Sequence, residues 1–271
     1  MTSFSLHDDL ALARVAVAHA DLVSLARFRA QDLVVTTKPD RTPVTDADEA
    51  VERVIRATIS AARPDDDIFG EEMGVDSLTK GAAPGRQWII DPIDGTAGFL
   101  RGLPIWGTLV ALALDGIPVL GAISAPALGK RWFGATGVGA WSTTADSREE
   151  SPLTVSKVAT LADATLSYNS IGQWMSDGRE KALLNLTQGA WRTRALGDFW
   201  SYMLVAEGSI DIAGEPDLQP YDMAAIQPII EGAGGRFTSL DGENSVWTGS
   251  ALATNGLLHD EVLSLVKTDR A

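Results

Sequence analysis

Asp91-Pro92-Ile93-Asp94-Gly95-Thr96 is the stretch of this chain best equipped for chemistry. It follows Trp88-Ile89-Ile90, three apolar residues that read as a short buried strand. Pro92 removes one backbone donor and fixes φ at about −65°. Gly95 is free to adopt positive φ, and Thr96 adds a hydroxyl. Two carboxylates three residues apart, at a sharp turn off a strand end, can point into one cavity. The Gly95 and Thr96 amides sit where a following helix would begin, so they can hold an anion. Carboxylates that collect cations beside amides that collect an anion describe a metal-dependent phosphate site. The competing reading is a solvated turn, since Asp-Gly is an ordinary turn dipeptide.

Other acidic residues stand at element ends. Residues 5–30 read as a helix, with Leu6, Leu10, Ala13, Val17 and Ala20 at three- and four-residue spacing. His19 within it reads as a surface or core histidine, not a ligand. Pro39 and Pro43 mark a loop, after which Thr45 and Asp48 form a capping box that opens a second helix. Val51, Val54, Ile55, Thr58 and Ile59 supply its buried stripe. Acidic residues in a first turn also suit the helix dipole, which would account for Asp46, Asp48 and Glu49 without chemistry. Ile68-Phe69 reads as a strand that ends in Gly70-Glu71-Glu72. Residues 74–86 read as a mobile loop over the site.

Residues 105–141 alternate apolar runs with glycine and proline and read as an antiparallel meander, with Asp115-Gly116 as a hairpin turn. The polar stretch 145–152 is the boundary candidate. It divides an N-terminal α+β half, 1–147, from a C-terminal α/β half, 148–271, that closes the site. In the second half, strand candidates at 164–168, 192–195, 210–213 and 235–238 alternate with helical runs at 179–188, 199–207 and 223–232. That alternation predicts a more parallel sheet. Pro228 is expected to bend the last helix, with Asp222 at its N-cap.

The composition sets limits. The chain has 271 residues, 45% apolar, with a net charge of −14. Such a charge argues against nucleic acid and anionic membrane surfaces as partners. It would also repel a phosphate ester, unless divalent cations held by carboxylates reverse the sign locally. There is no cysteine, hence no disulfide framework, thiolate zinc site or cysteine nucleophile, which suits a reducing cytoplasm. No stretch approaches the roughly 18 uninterrupted apolar residues of a membrane span.

Oxygen ligands alone, without histidine or cysteine, favour magnesium, manganese or calcium over zinc. Two such ions, about 3.5–4 Å apart, would clamp the attacking and leaving oxygens of an in-line displacement.

Gly70-Glu71-Glu72, Asp91-Pro92-Ile93-Asp94-Gly95-Thr96 and Tyr221-Asp222-Met223-Ala224-Ala225, in this order, resemble the inositol monophosphatase family. The upstream segment from Lys38 to Thr45-Asp46-Ala47-Asp48 matches as well. The resemblance implies an α/β fold, a layered αβαβα sandwich like that of sugar phosphatases, with an antiparallel N-terminal sheet and a more parallel C-terminal one. It implies magnesium, two or three ions, with manganese as a substitute. Glu71 and Asp91, helped by the Ile93 carbonyl, would hold one ion; Asp91, Asp94 and Asp222 would hold the second; Glu71 would serve a weaker third. Asp48 and Thr96 would pair and orient the attacking water, while the Gly95 and Thr96 amides would contact the phosphate. It further implies a homodimer.

Substrate choice is expected elsewhere. Glu215 precedes Asp222 by seven residues, where the family places a side chain that touches the alcohol portion. Gly197-Asp198-Phe199-Trp200, Pro104-Ile105-Trp106 and Ser124-Ala125-Pro126-Ala127-Leu128-Gly129 are similar to a histidinol-phosphate phosphatase branch of the family. Histidinol carries an ammonium and an imidazole, and Asp198 and Glu215 could pair with both. Asp198 is equally an N-cap candidate for the helix 199–207. Two departures from the family stand out. Ala97-Gly98 replaces a Lys-Asn or Thr-Asn pair, and Tyr221 replaces a tryptophan.

The expected activity is therefore hydrolysis of a phosphate monoester, with L-histidinol phosphate as the leading substrate. Inositol 1-phosphate or a broader set of sugar and polyol monophosphates is the alternative. A phosphatase of the haloacid-dehalogenase type spaces its aspartates by one residue, not two, and places them on its first strand. A non-catalytic metal-binding protein would take up magnesium and release no phosphate.

Overall fold

The computed structural model describes residues 5–37, 43–75, 84–144 and 147–267. Lys38 and most of the expected loop 74–86 lie outside the described residues.

Leu6–Arg27 forms α1, opened by a capping box between Ser5 and Asp8. Val35–Thr37 (β1) and Pro43–Thr45 (β2) pair antiparallel. Asp46–Ala62 is α2, and Thr45 caps it as the sequence predicts. There follow Asp67–Gly70 (β3), Gly74–Val75 (β4), Arg86–Asp94 (β5), Thr96–Leu100 (α3) and Gly107–Leu114 (β6). Ile117–Ala125 (β7), Lys130–Ala135 (β8), Gly139–Thr144 (β9) and Ser147–Pro152 (β10) continue the meander. The sheet order is β10-β9-β8-β7-β6-β5-β3-β4, antiparallel except between β3 and β5. Asp115 and Gly116 both take positive φ, as a tight hairpin between β6 and β7 requires. The polar stretch at 145–152 thus contains an edge strand, β10, paired with β9.

The second half contributes Thr165–Ser167 (β11), Ile171–Ser176 (α4), Glu180–Gly189 (α5), Arg192–Arg194 (β12) and Asp198–Ala206 (α6). Ile212–Pro216 (β13), Pro220–Met223 (α7), Ile226–Gly232 (α8), Arg236–Thr238 (β14), Ser250–Thr254 (β15) and His259–Lys267 (α9) complete it. Its sheet order is β12-β11-β13-β15-β14. β11 lies parallel to β12 and β13, whereas β15 runs antiparallel to β13 and β14.

The layers follow from the period-two pattern of the strands. Trp88, Ile90, Val110 and Leu112 point to one face and meet Ala13, Val17, Val51 and Ile55 of α1 and α2. Ile89, Leu109 and Ala111 point to the other face. There they meet Phe199, Met203, Ile226 and Ile229 of α6 and α8, together with Ala213 and Ala253 of the second sheet. The far face of that sheet, with Leu166, Ile212 and Leu252, is covered by Trp174, Leu183, Leu186, Val262 and Val266. The result is the αβαβα sandwich. Glycine lets its central layers approach: a Cβ on Gly121 would sit 2.0 Å from the Ala225 carbonyl oxygen. The segment that bears Asp222 is thereby pressed against the sheet that bears Asp91.

Three local expectations are corrected. The run 223–232 is not one helix: α7 ends at Met223 and α8 begins at Ile226. Pro228 has no N–H to give the Ala224 carbonyl, so the ladder breaks ahead of it instead of bending at it. Pro220 starts the first helix early, which makes Asp222 its third residue instead of its N-cap; Asp222 Oδ2 accepts the Gln219 N–H at 2.7 Å. Nor is Asp198 a cap. It is the first residue of α6, with φ of 52°, after Gly197. No side chain caps the start of α6 from the position before it; the Phe199 N–H in its first turn is donated across the chain to Asp94 Oδ2, at 2.6 Å.

Candidate active site

The end of β5 delivers Asp91 and Asp94, and α3 begins at Gly95, whose φ is 84°. Asp222 arrives from α7. Ligand oxygens of Asp91, Asp94 and Asp222 lie within 4.8 Å of one another. Asp91 is buried, and its Oδ1 has no hydrogen-bond partner among the described residues. Glu71, whose N–H donates to the Ile90 carbonyl at 3.1 Å, lies beside Asp91.

These charges oppose one another. Burial, then Glu71, Asp94 and Asp222, push the Asp91 carboxyl well above the usual range. Burial, then Asp198 and Asp222, do the same to Asp94. Asp222 is pushed up to about 7, chiefly by burial. An orphaned buried carboxylate oxygen, inside a cluster that penalises its own negative charge, fits a hard divalent cation.

Asp48 stands behind this cluster. Its Oδ2 accepts the Thr45 N–H at 2.8 Å, and its Oδ1 accepts the Thr96 hydroxyl at 3.2 Å. The same hydroxyl lies 2.9 Å from the Ile93 carbonyl oxygen. The expected Asp48–Thr96 contact is therefore present.

In front of the cluster opens a cavity of about 180 Å³, with Asp94, Asp222, Asp198 and Glu215 on its walls. Glu215 is buried, and burial raises its carboxyl to about 8. Asn169, Gln173, Tyr202 and Asp217 also line the cavity and were not singled out from the sequence. Asp217, like Asp198, holds a left-handed backbone, a strain that gathers at functional sites.

The profile of the inositol monophosphatase family matches residues 6–270. The chain belongs to this family. Its fold superposes on an inositol monophosphatase from Zymomonas mobilis with a TM-score of 0.82 at 32% identity, covering 98% of this chain and 100% of that one. The extragenic suppressor protein of Bartonella henselae gives a TM-score of 0.84 at 25% identity, covering 96% and 99%. Among curated relatives, the histidinol-phosphatase of Mycobacterium tuberculosis is 50% identical over 258 residues, 95% of this chain and 97% of the relative. That of Streptomyces coelicolor is 50% identical over 260 residues, 94% and 96%. Among the described residues of this family member, no helix is long and apolar enough to cross a membrane.

Proposed function

We propose that this chain is a magnesium-dependent phosphate monoester hydrolase that acts on L-histidinol phosphate, a step of histidine biosynthesis, by direct in-line attack of water. The observation that carries this reading is the 50% identity, across nearly all of both chains, with two histidinol-phosphatases. The acidic cavity supports it.

Glu71 and Asp91, with the Ile93 carbonyl, would hold one ion, and Asp91, Asp94 and Asp222 another; Glu71 would serve a weaker third. Bound magnesium supplies Lewis acidity, lowers the pKa of water and offsets the charge of the carboxylates. Asp48 keeps the Thr96 hydroxyl turned toward it, which leaves a Thr96 lone pair to accept a proton of the attacking water and aim its oxygen at phosphorus. The Gly95 and Thr96 amides, at the start of α3, face the phosphate oxygens. Asp198 and Glu215 face the leaving alcohol. A cationic substituent there would restore the ionisation that burial opposes at Glu215. A neutral polyol would supply no charge to ionise Glu215 or to pair with Asp198, and for that reason histidinol phosphate is preferred over inositol 1-phosphate.

The same proposal includes the division into an N-terminal half that bears the metal motifs and a C-terminal half that closes the site. It also includes a homodimer and a cytoplasmic location, which rest on the family resemblance and on the absence of cysteine. Phosphate release from a panel of monoesters, with magnesium and with chelator, tests the activity. Release from none of them in magnesium would leave only the metal-binding reading.

A further inference from the structure

Glu52 is fully buried on α2, one turn beyond Asp48. Its Oε2 accepts the Glu72 N–H at 2.8 Å. Its Oε1 accepts the Met73 N–H at 3.2 Å and Arg56 Nε at 2.8 Å. Arg56 reaches on to the Gly74 carbonyl. One buried ion pair thus grips the turn from Glu72 to Gly74, which begins directly after Glu71. The grip needs a bare backbone at Gly70, because a Cβ there would sit 2.0 Å from Glu52 Oε1. A buried ion pair is seldom more stabilising than apolar residues of the same volume. What apolar residues could not do is hold two backbone N–H groups of a turn in place.

We infer that Glu52 is a positioning residue for Glu71, and that it keeps the Glu71 carboxylate against Asp91 where a cation would be bound. α2 then serves the site twice: Asp48 at its start meets Thr96, and Glu52 one turn later sets the strand-end turn.

This inference rests on the proposed magnesium site, and its test reads magnesium binding directly. Magnesium affinity is measured by calorimetry for the full chain, for Glu52→Gln and for Gly70→Ala, beside the magnesium dependence of turnover. Glu52→Gln keeps the volume but sets an amide among donors; Gly70→Ala displaces the same carboxylate from the opposite side. Both are expected to weaken magnesium binding by about 10–100-fold, the usual effect of losing an outer partner of a metal ligand, with kcat recovering at high magnesium. Leu186→Ala, in the outermost layer, is the control: it should lower the melting temperature and leave magnesium affinity unchanged. Should Glu52→Gln not fold, Gly70→Ala alone decides. Unchanged affinity in the folded variants, or an equal loss in Leu186→Ala, overturns the inference alone. A full chain that takes up no magnesium overturns the metal site, and this inference with it.

Discussion

The Phe199 N–H donates to Asp94 Oδ2 at 2.6 Å, so the last residue of β5 caps the first turn of α6. The bond joins the two halves of the chain at the site itself. Under the proposed function Asp94 would do two jobs, one toward the cation and one, seen in this bond, toward the helix. In Asp94→Asn the amide oxygen can still accept from Phe199, whereas the charge is gone. The variant should keep its circular dichroism and melting temperature within a few degrees. Its turnover should fall at least about a hundredfold, the upper end of what losing even an outer partner of a metal site costs.

The acidic cavity gives a prediction about substrate. Asp198→Asn suits the left-handed backbone at that position better than alanine would, because asparagine tolerates that region. Loss of a charge-assisted hydrogen bond costs about 1.5–3 kcal/mol, roughly ten- to a hundredfold in KM for histidinol phosphate. KM for inositol 1-phosphate should change little. Equal effects on the two substrates would make Asp198 a purely local part of α6.

Protonation should govern the stability of the metal-free protein. Folding raises Asp222 to about 7 and Glu215 to about 8, each from an ordinary carboxylate value. The folded state then binds more protons than the unfolded one, so stability falls as pH rises through that range. In chelator the melting temperature should drop between pH 7 and pH 9. Added magnesium should raise it, and by more at pH 9, where protons no longer compete for the carboxylates. A melting temperature in chelator that climbs over this interval would contradict the cluster.

The buried His259 behaves in the opposite sense. It sits between the Thr238 and Thr254 hydroxyls at 3.0 and 3.1 Å. Burial, then Arg236, lowers its pKa to about 4. Unfolding lets it charge, so stability is lost as pH falls from about 6.5 toward 4. His259→Gln should flatten that part of the profile of melting temperature against pH; an unchanged slope would show that other groups set it.

Much of this site was legible in the sequence because its signals are local. The Thr45–Asp48 box, the apolar strand that runs into Asp91, and the Asp115-Gly116 turn each declare themselves within a few residues. Glu52 and Arg56 were not legible: they lie on the apolar stripe of α2 beside Val51 and Ile55, and only the approach of the turn after β3 explains them. Asn169, Gln173 and Asp217 are single polar residues that the end of β11, α4 and the end of β13 bring to one cavity. The strand β15 was missed because Ala251 and Ala253, residues of high helical propensity, sit in it. The cap assignments of Asp198 and Asp222 failed for a related reason. Which oxygen takes a helix's first N–H was decided by a residue 105 positions away in one case, and by Pro220 in the other.

The most direct measurement is kcat/KM for L-histidinol phosphate against inositol 1-phosphate, in magnesium and in excess chelator. Histidinol phosphate should be favoured by at least about a hundredfold, as two charge-assisted contacts would provide, with activity lost on chelation. Equal values for the two esters, or hydrolysis that survives the chelator, would contradict the proposal.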